Sequence, residues 1–382
     1  MDRINDIFET LRENSKQGII EVKEAKENGM NIVGTYCVYT PWEVIAAANA
    51  IPATLCSTSE ATISEAEKHL PRNLCPLIKS SYGFGITDKC PYFSFSDLIV
   101  GETTCDGKKK MYEYLERIKP MHVMQLPQSN NRKEDLEMWK REVVYLKERL
   151  EKEFDIEITT EKLREQIKLR NEERKALKGF YELGKLVPPP IYGEEIQLVL
   201  NHAKFHFDKK SVSGQLREIT EVIKEEYDQG QRRVESNRPR ILITGCPIGG
   251  AVEKIIKIIE EENGVVVCYE NCSGIKEQKQ LIDENKDPID AISEKYLDVG
   301  CSAMSPNDHR IEFLSELIDE YKVDGVIDVI LQACHTYNVE TFRMKEFVKG
   351  EKNVHYMSIE TDYSQSDIGQ LKTRISAFIE ML

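Results

Sequence analysis

Ten cysteines stand in a chain of 382 residues, at positions 37, 56, 75, 90, 105, 246, 268, 272, 301 and 334. A free cysteine is ordinarily a small buried hydrophobe, and in a reducing compartment it does not build a disulfide framework. The spacing here argues for more than packing. Cys37, Cys56 and Cys105 each close a short apolar run, and so do Cys246, Cys272 and Cys334, whereas Cys268 lies inside one, GVVVCYEN. Cys75 and Cys301 fall in loops or at a helix start. Cys75 to Cys105 spans 30 positions and Cys301 to Cys334 spans 33, so the two halves place their thiols alike. Zinc sites usually show ligands paired at C-x2–4-C spacing, and Cys268 with Cys272 is the only close pair. Dispersed thiolates from several loops suit an iron–sulfur cluster better.

The elements that must position these thiols read as two α/β halves. NIVGTYC, IPATLC, SDLIVGETTC and MHVMQLP are short apolar runs alternating with helical patterns, and the alternation restarts with PRILITGC, GVVVCYENC, DGVIDVILQAC and VHYMSIETDY. Strands alternating with helices argue a parallel sheet covered on both faces. The expected fold is therefore α/β, with two Rossmann-like, doubly wound and mainly parallel domains and the cluster at their interface. Its expected boundaries are 1–131 for the N-terminal domain, 132–236 for a helical connector and 237–382 for the C-terminal domain. In open sheets of this kind ligands sit beyond the carboxyl ends of the strands, which is where the thiols fall. Residues 1–28 read as one amphipathic helix through Ile4, Ile7, Phe8 and Leu11. TPWE reads as a helix start, with Thr40 as cap, Pro41 at the first position and Glu43 closing a capping box.

A formal net charge of −14 argues against tracking a phosphate backbone. The segment MDRINDIFET has no apolar core and does not read as a signal peptide. No run reaches the roughly 18 apolar residues of a membrane helix. The expectation is a cytoplasmic protein that binds neither nucleic acid nor membrane. Cys105 opens CDGKKK, where a helix dipole and Lys108, Lys109 and Lys110 would lower its pKa. GCPIGG around Cys246 resembles a phosphate loop only loosely, because it lacks the GK[ST] ending. Its glycines read as allowing close backbone approach to a cluster. Any ATP chemistry falls to a partner.

The combination of TPWEVIAAANAIPATLC, PRNLCPLIKS, TTCDGKKK, GCPIGGAVEKI, CSAMSPNDHR and ILQACHTYNVE resembles the 2-hydroxyacyl-CoA dehydratase and benzoyl-CoA reductase subunits, and among them the double-cubane-cluster proteins. The resemblance covers nearly the whole chain. It implies a homodimer, a small-molecule substrate and reduction by a separate ATP-hydrolysing iron–sulfur activator protein. Cys75, Cys105 and Cys334 match the three ligands of a single 4Fe–4S cubane. A double cubane, 8Fe–9S, needs six, and the internal repeat nominates Cys37, Cys246 and Cys301, with Cys272 as the alternate. The implied activity is anaerobic reduction by low-potential electrons. A dehydratase component with one 4Fe–4S cluster and a non-catalytic electron carrier or scaffold are the competing functions. Candidate proton donors are His335, directly after a ligand, and Glu43, in the helix after Cys37. His309 and Arg310 follow the Cys301 loop and are candidates for an anionic substrate or a surface ion pair.

Overall fold

The computed structural model describes every residue except Met1, Ile248 and Ser273. Helices α1 (Asp2–Glu13) and α2 (Gln17–Glu27) open the chain where the sequence reads as one, and a 3-10 turn at Asn14–Lys16 separates them. Asn14 and Ser15 compete for backbone hydrogen bonds and favour such breaks. Strand β1 (Asn31–Thr35) leads to α3 (Trp42–Ala47), β2 (Ala50–Thr54), α4 (Ile63–Ala66), α5 (Pro76–Ile86), α6 (Pro91–Phe95), β3 (Leu98–Glu102), α7 (Asp106–Leu115) and β4 (Met121–Met124). Four helices follow: α8 (Lys133–Phe154), α9 (Thr160–Tyr181), α10 (Gly193–Phe205) and α11 (Lys209–Asp228). The second half runs β5 (Arg240–Gly245), α12 (Gly250–Glu261), β6 (Val265–Tyr269), α13 (Pro288–Leu297), α14 (Asp308–Glu320), β7 (Gly325–Leu331), α15 (His335–Glu346), β8 (His355–Thr361) and α16 (Ile368–Ile379).

The two four-stranded sheets have the same topology, β2-β1-β3-β4 and β6-β5-β7-β8, and every pairing is parallel. The fold is α/β with two Rossmann-like domains, as the alternation of runs predicts. All residues of β5, β6 and β7 are buried, in keeping with apolar runs covered on both faces. In each sheet the chain steps from its first strand to one side and then crosses to the other. The switch points are therefore β1/β3 and β5/β7, the crevices where such folds bind ligands. Cys37 and Cys105 follow the first pair of strands, and Cys246 and Cys334 follow the second.

Helix α8 buries Trp139, Val143, Leu146 and Leu150 in one core with Val33 and Val100 of the first sheet and Ile292 and Tyr296 of α13. Ile4, Phe8 and Leu11 of α1 join the core around the second sheet. A third core takes Tyr36 and Ile99 from the first half and Cys246, Ile330 and Tyr363 from the second, with Cys75 among them. The halves thus meet around the thiols.

Local reading differs from the structure in two places. Helices α13, α14 and α15 occupy segments for which no helix is named above, although Phe313, Leu314, Leu317 and Ile318 of α14 recur at helical spacing and Asp287 caps α13 through the N–H groups of Ile289 and Asp290, with Pro288 in its first turn. The expected capping box before α3 does not form. Pro41 is the N-cap, without a side-chain hydrogen bond. The Thr40 hydroxyl donates instead to Glu102, and Glu43 pairs with Arg174 at 2.8 Å while accepting from the Tyr296 hydroxyl at 2.8 Å. Fully buried long-range partners outweigh a local cap, because a buried charge demands compensation. Among the described residues no helix is long and apolar enough to cross a membrane.

Candidate metal centre

Four helices begin on a cysteine, three of them around one group of thiols. Cys75, Cys105 and Cys334 are the N-caps of α5, α7 and α15. Each places a sulfur where free N–H groups and the positive end of a helix dipole favour negative charge. The Cys105 sulfur accepts from the Lys108 N–H at 3.4 Å. The Cys246 sulfur accepts from the Leu331 N–H at 3.4 Å and reaches the same group from the second sheet. The thiols of Cys246 and Cys75 donate to Cys334 and pull it well below the ordinary thiol range. Cys75 is raised in return by Cys334 and by burial, and Cys246 by burial and by Cys334. These four form a helix-capping set, flanked by exposed Asn73, Asp106 and His335.

A second set lies deeper. Cys37, Cys272 and Cys301 feel one another's charge, and burial pushes the Cys37 thiol up. Burial lifts Cys272 to about 11, with Lys276 opposing. A cavity of about 440 Å³ opens between the halves, and Cys37, Cys56 and Cys272 form part of its wall. The floor of this set is a network of buried ion pairs. Lys276 meets Glu270 at 2.8 Å, and Arg310 bridges Glu270, Asp328 and Glu340.

The donor set fits an iron–sulfur cluster. Besides the thiols, the buried hydroxyls of Tyr337 and Tyr363 have no hydrogen-bond partner, and they lie in the electrostatic reach of Cys301 with Cys272 and of Cys75 with Cys246 respectively. Both hydroxyls are free to donate to a group bound among the thiols. Among the described residues no three His, Cys, Asp or Glu side chains converge tightly enough to chelate one metal ion. A cluster spreads its thiolates over several irons.

Residues 37–382 match the family described as 2-hydroxyglutaryl-CoA dehydratase, D-component. The chain belongs to this family. It is 54% identical to the "Putative dehydratase subunit YjiM" of Escherichia coli over 98% of both chains. It is 26% identical to the (R)-phenyllactyl-CoA dehydratase beta subunit of Clostridium sporogenes, over 100% of this chain and 99% of the relative. It is also 24% identical to one of the subunits of the benzoyl-CoA reductase of Thauera aromatica, over 94% and 90% respectively.

Other sequence candidates of this D-component relative are placed as follows. Glu43 is fully buried against Arg174 and Tyr296 and outside the cavity wall. His335 is exposed at the start of α15. His309 pairs with Asp298, while Arg310 is fully buried in the ion-pair floor rather than on the surface. The lysine run splits: Lys109 and Lys110 are exposed and paired with Asp106 and Glu113, but Lys108 turns inward. Cys105 is raised rather than lowered, because burial outweighs the Lys108 N–H and charge. In GCPIGG, Gly245 has φ +108° and a Cβ there would meet the Val329 oxygen at 2.2 Å, while one on Gly249 would strike the Thr58 hydroxyl at 1.9 Å. Both glycines serve close backbone packing; Ile248 lies outside the described residues. Cys268 is buried inside β6 and Cys90 caps α6. Cys56, which is not among the nominated ligands, lines the cavity. The signal was present, since Cys56 and Cys272 each follow the second strand of their half.

Proposed function

We propose that the chain is the catalytic component of an iron–sulfur reductase, in which six thiols hold a double-cubane 8Fe–9S cluster reduced by a separate ATP-hydrolysing iron–sulfur activator. The observation that carries this reading is the gathering of seven thiols, from strand ends, helix starts and the loop after α13, into two sets where the halves meet, with Cys37 and Cys272 of the second set on a cavity wall. In this reading Cys75, Cys105 and Cys334 hold one cubane and Cys37, Cys272 and Cys301 the other. Cys246, nominated by the repeat, is packed among the first three and is the alternate. Soft thiolates select such clusters. The bound cluster would supply single low-potential electrons to a small molecule in the cavity. The chain's own residues supply the rest. The N-termini of α5, α7 and α15 stabilise negative charge on their thiolates, and the cavity walls keep bulk water from the reacting molecule. One chain carries both sets, so a homodimer needs no second kind of subunit.

Iron analysis and an anaerobic EPR spectrum test this reading. We expect about eight irons per chain, a loss of about half of them in Cys272→Ser, and little loss in Cys246→Ser. About four irons in the wild type, unchanged in Cys272→Ser, would instead favour a dehydratase component with a single 4Fe–4S cluster. That second reading draws support from the dehydratase names of the relatives and from the three N-capping thiols, which suffice for one cubane.

A further inference from the structure

The cavity has one feature that neither thiol set explains. Lys108, on the first turn of α7, is 8% exposed and forms part of the cavity wall beside Cys37, Cys56 and Thr40. Its ammonium donates to the Tyr36 carbonyl at 3.0 Å. Among the described residues it makes no ion pair, so two of its three donors stay uncommitted. The other deep cations of the wall are paired: Arg170 with Glu173 and Glu277, and Lys209 with Glu173 at 3.2 Å. Behind Lys108, outside ion-pair distance, stands the fully buried Glu102. One of its oxygens accepts from Thr40 and the other has no partner. A buried ammonium with open donors is costly; the sulfurs of Cys37 and Cys56 meet part of its charge, and an anion on the open donors would offset the rest.

We propose that Lys108 is the anchor of an anion subsite at the inner end of the cavity, and that its ligand is a small monoanion of carboxylate type. A lone ammonium is a point charge without the fork that recognises phosphate bidentately. Glu102 behind it, with Glu253 also on the wall, opposes a second negative charge on the ligand. Thr54 on the same wall offers a hydroxyl to a second oxygen. The site deepens the reading of this cavity as the substrate's, but it stands on the chain's own charges and not on the number of irons.

The test is calorimetry on the anaerobic holoprotein at pH 8, where Glu102, held up to about 7 by burial, is mostly ionised. Acetate is the probe, acetamide its neutral isostere and inorganic phosphate the dianion. We expect acetate to bind and acetamide and phosphate to bind at least about tenfold more weakly, as a charge-assisted hydrogen bond implies. Lys108→Met should weaken acetate by at least about tenfold, and Lys108→Arg should keep most of the affinity. Glu102→Gln, which removes the opposing charge, should tighten acetate. Equal binding of acetate and acetamide, or acetate affinity unmoved in Lys108→Met, overturns the proposal. Should Lys108→Met fail to fold, the acetate-to-acetamide ratio and the sign of the Glu102→Gln effect decide it. Iron content is read on the same samples, so a failure of the cluster reading is seen separately from a failure of anion binding.

Discussion

The two thiol sets are built by different physics although they arise from one repeated fold. The helix-capping set uses backbone: three cysteines occupy N-cap positions, and the negative charge they carry is met by helix N-termini. The cavity set has no such helix starts. Cys37 precedes α3 by five residues and Cys301 precedes α14 by seven, and Lys276, Glu270 and Arg310 supply the charge around Cys272 and Cys301 instead. Cys105 and Cys334 of the capping set adjoin exposed Asp106 and His335, whereas Cys75 and Cys246, like the cavity set, have buried or half-buried described neighbours. The difference suits a division of work, with electrons arriving near the surface and a molecule reduced in the interior.

The largest expected effect falls on the capping set. Cys334 is the sulfur that the thiols of Cys75 and Cys246 both address, so Cys334→Ser should remove about half the iron and abolish activator-dependent turnover. Retention of full iron in that variant would break the comparison, since the capping set would then be no ligand set. Next in size is Glu270→Gln. It leaves Lys276 and Arg310 with less compensation in a fully buried position, a change that typically costs about 3–5 kcal/mol. Denaturant unfolding should register that loss, and iron should leave the cavity set before the capping set. Equal loss from both sets would mean that the ion-pair floor serves the whole domain and not one set.

Gly245→Ala should follow. At φ +108°, with the Val329 oxygen 2.2 Å from any added Cβ, alanine is strained both by conformation and by contact, and a loss of about 1–3 kcal/mol is expected. Gly245 adjoins Cys246, so the same variant sharpens the comparison. Displacing that thiol while iron stays at the wild-type level would agree with Cys272, not Cys246, as the sixth ligand.

Most of the architecture was legible because it follows from patterns of one sequence segment at a time. Apolar runs ending in cysteine mark strands that run into the crevice, and the repeat of that pattern matches the identical order of the two sheets. What stayed hidden depends on partners distant in sequence. Glu43 reads as a local cap until Arg174, 131 positions later, claims it. Lys108 is indistinguishable from Lys109 and Lys110 in the string KKK, and only the rotation of α7 against Tyr36 turns it inward. The division of the thiols into sets is of the same kind. Pairing by repeat joins Cys37 with Cys246, and only the packing of the two halves against each other puts these mates in different sets.

The smallest effect concerns pH and separates the two regions once more. Burial holds the Glu102 carboxyl up to about 7, against Lys108 and Thr40, which lower it. A carboxyl raised on folding favours the folded state fully only below its unfolded value, about 4.3, and that advantage is lost as pH rises through about 7. Glu102→Gln has no such titration. Its melting temperature relative to the wild type should therefore climb from pH 5 to pH 8 and then level off. The groups that act most strongly on Cys105 and Cys334 do not include Glu102, so iron release from Cys272→Ser, which keeps the capping set, should show no matching step. A flat difference between wild type and Glu102→Gln across that range would mean that Glu102 is ionised throughout, held so by Lys108 against the effect of burial.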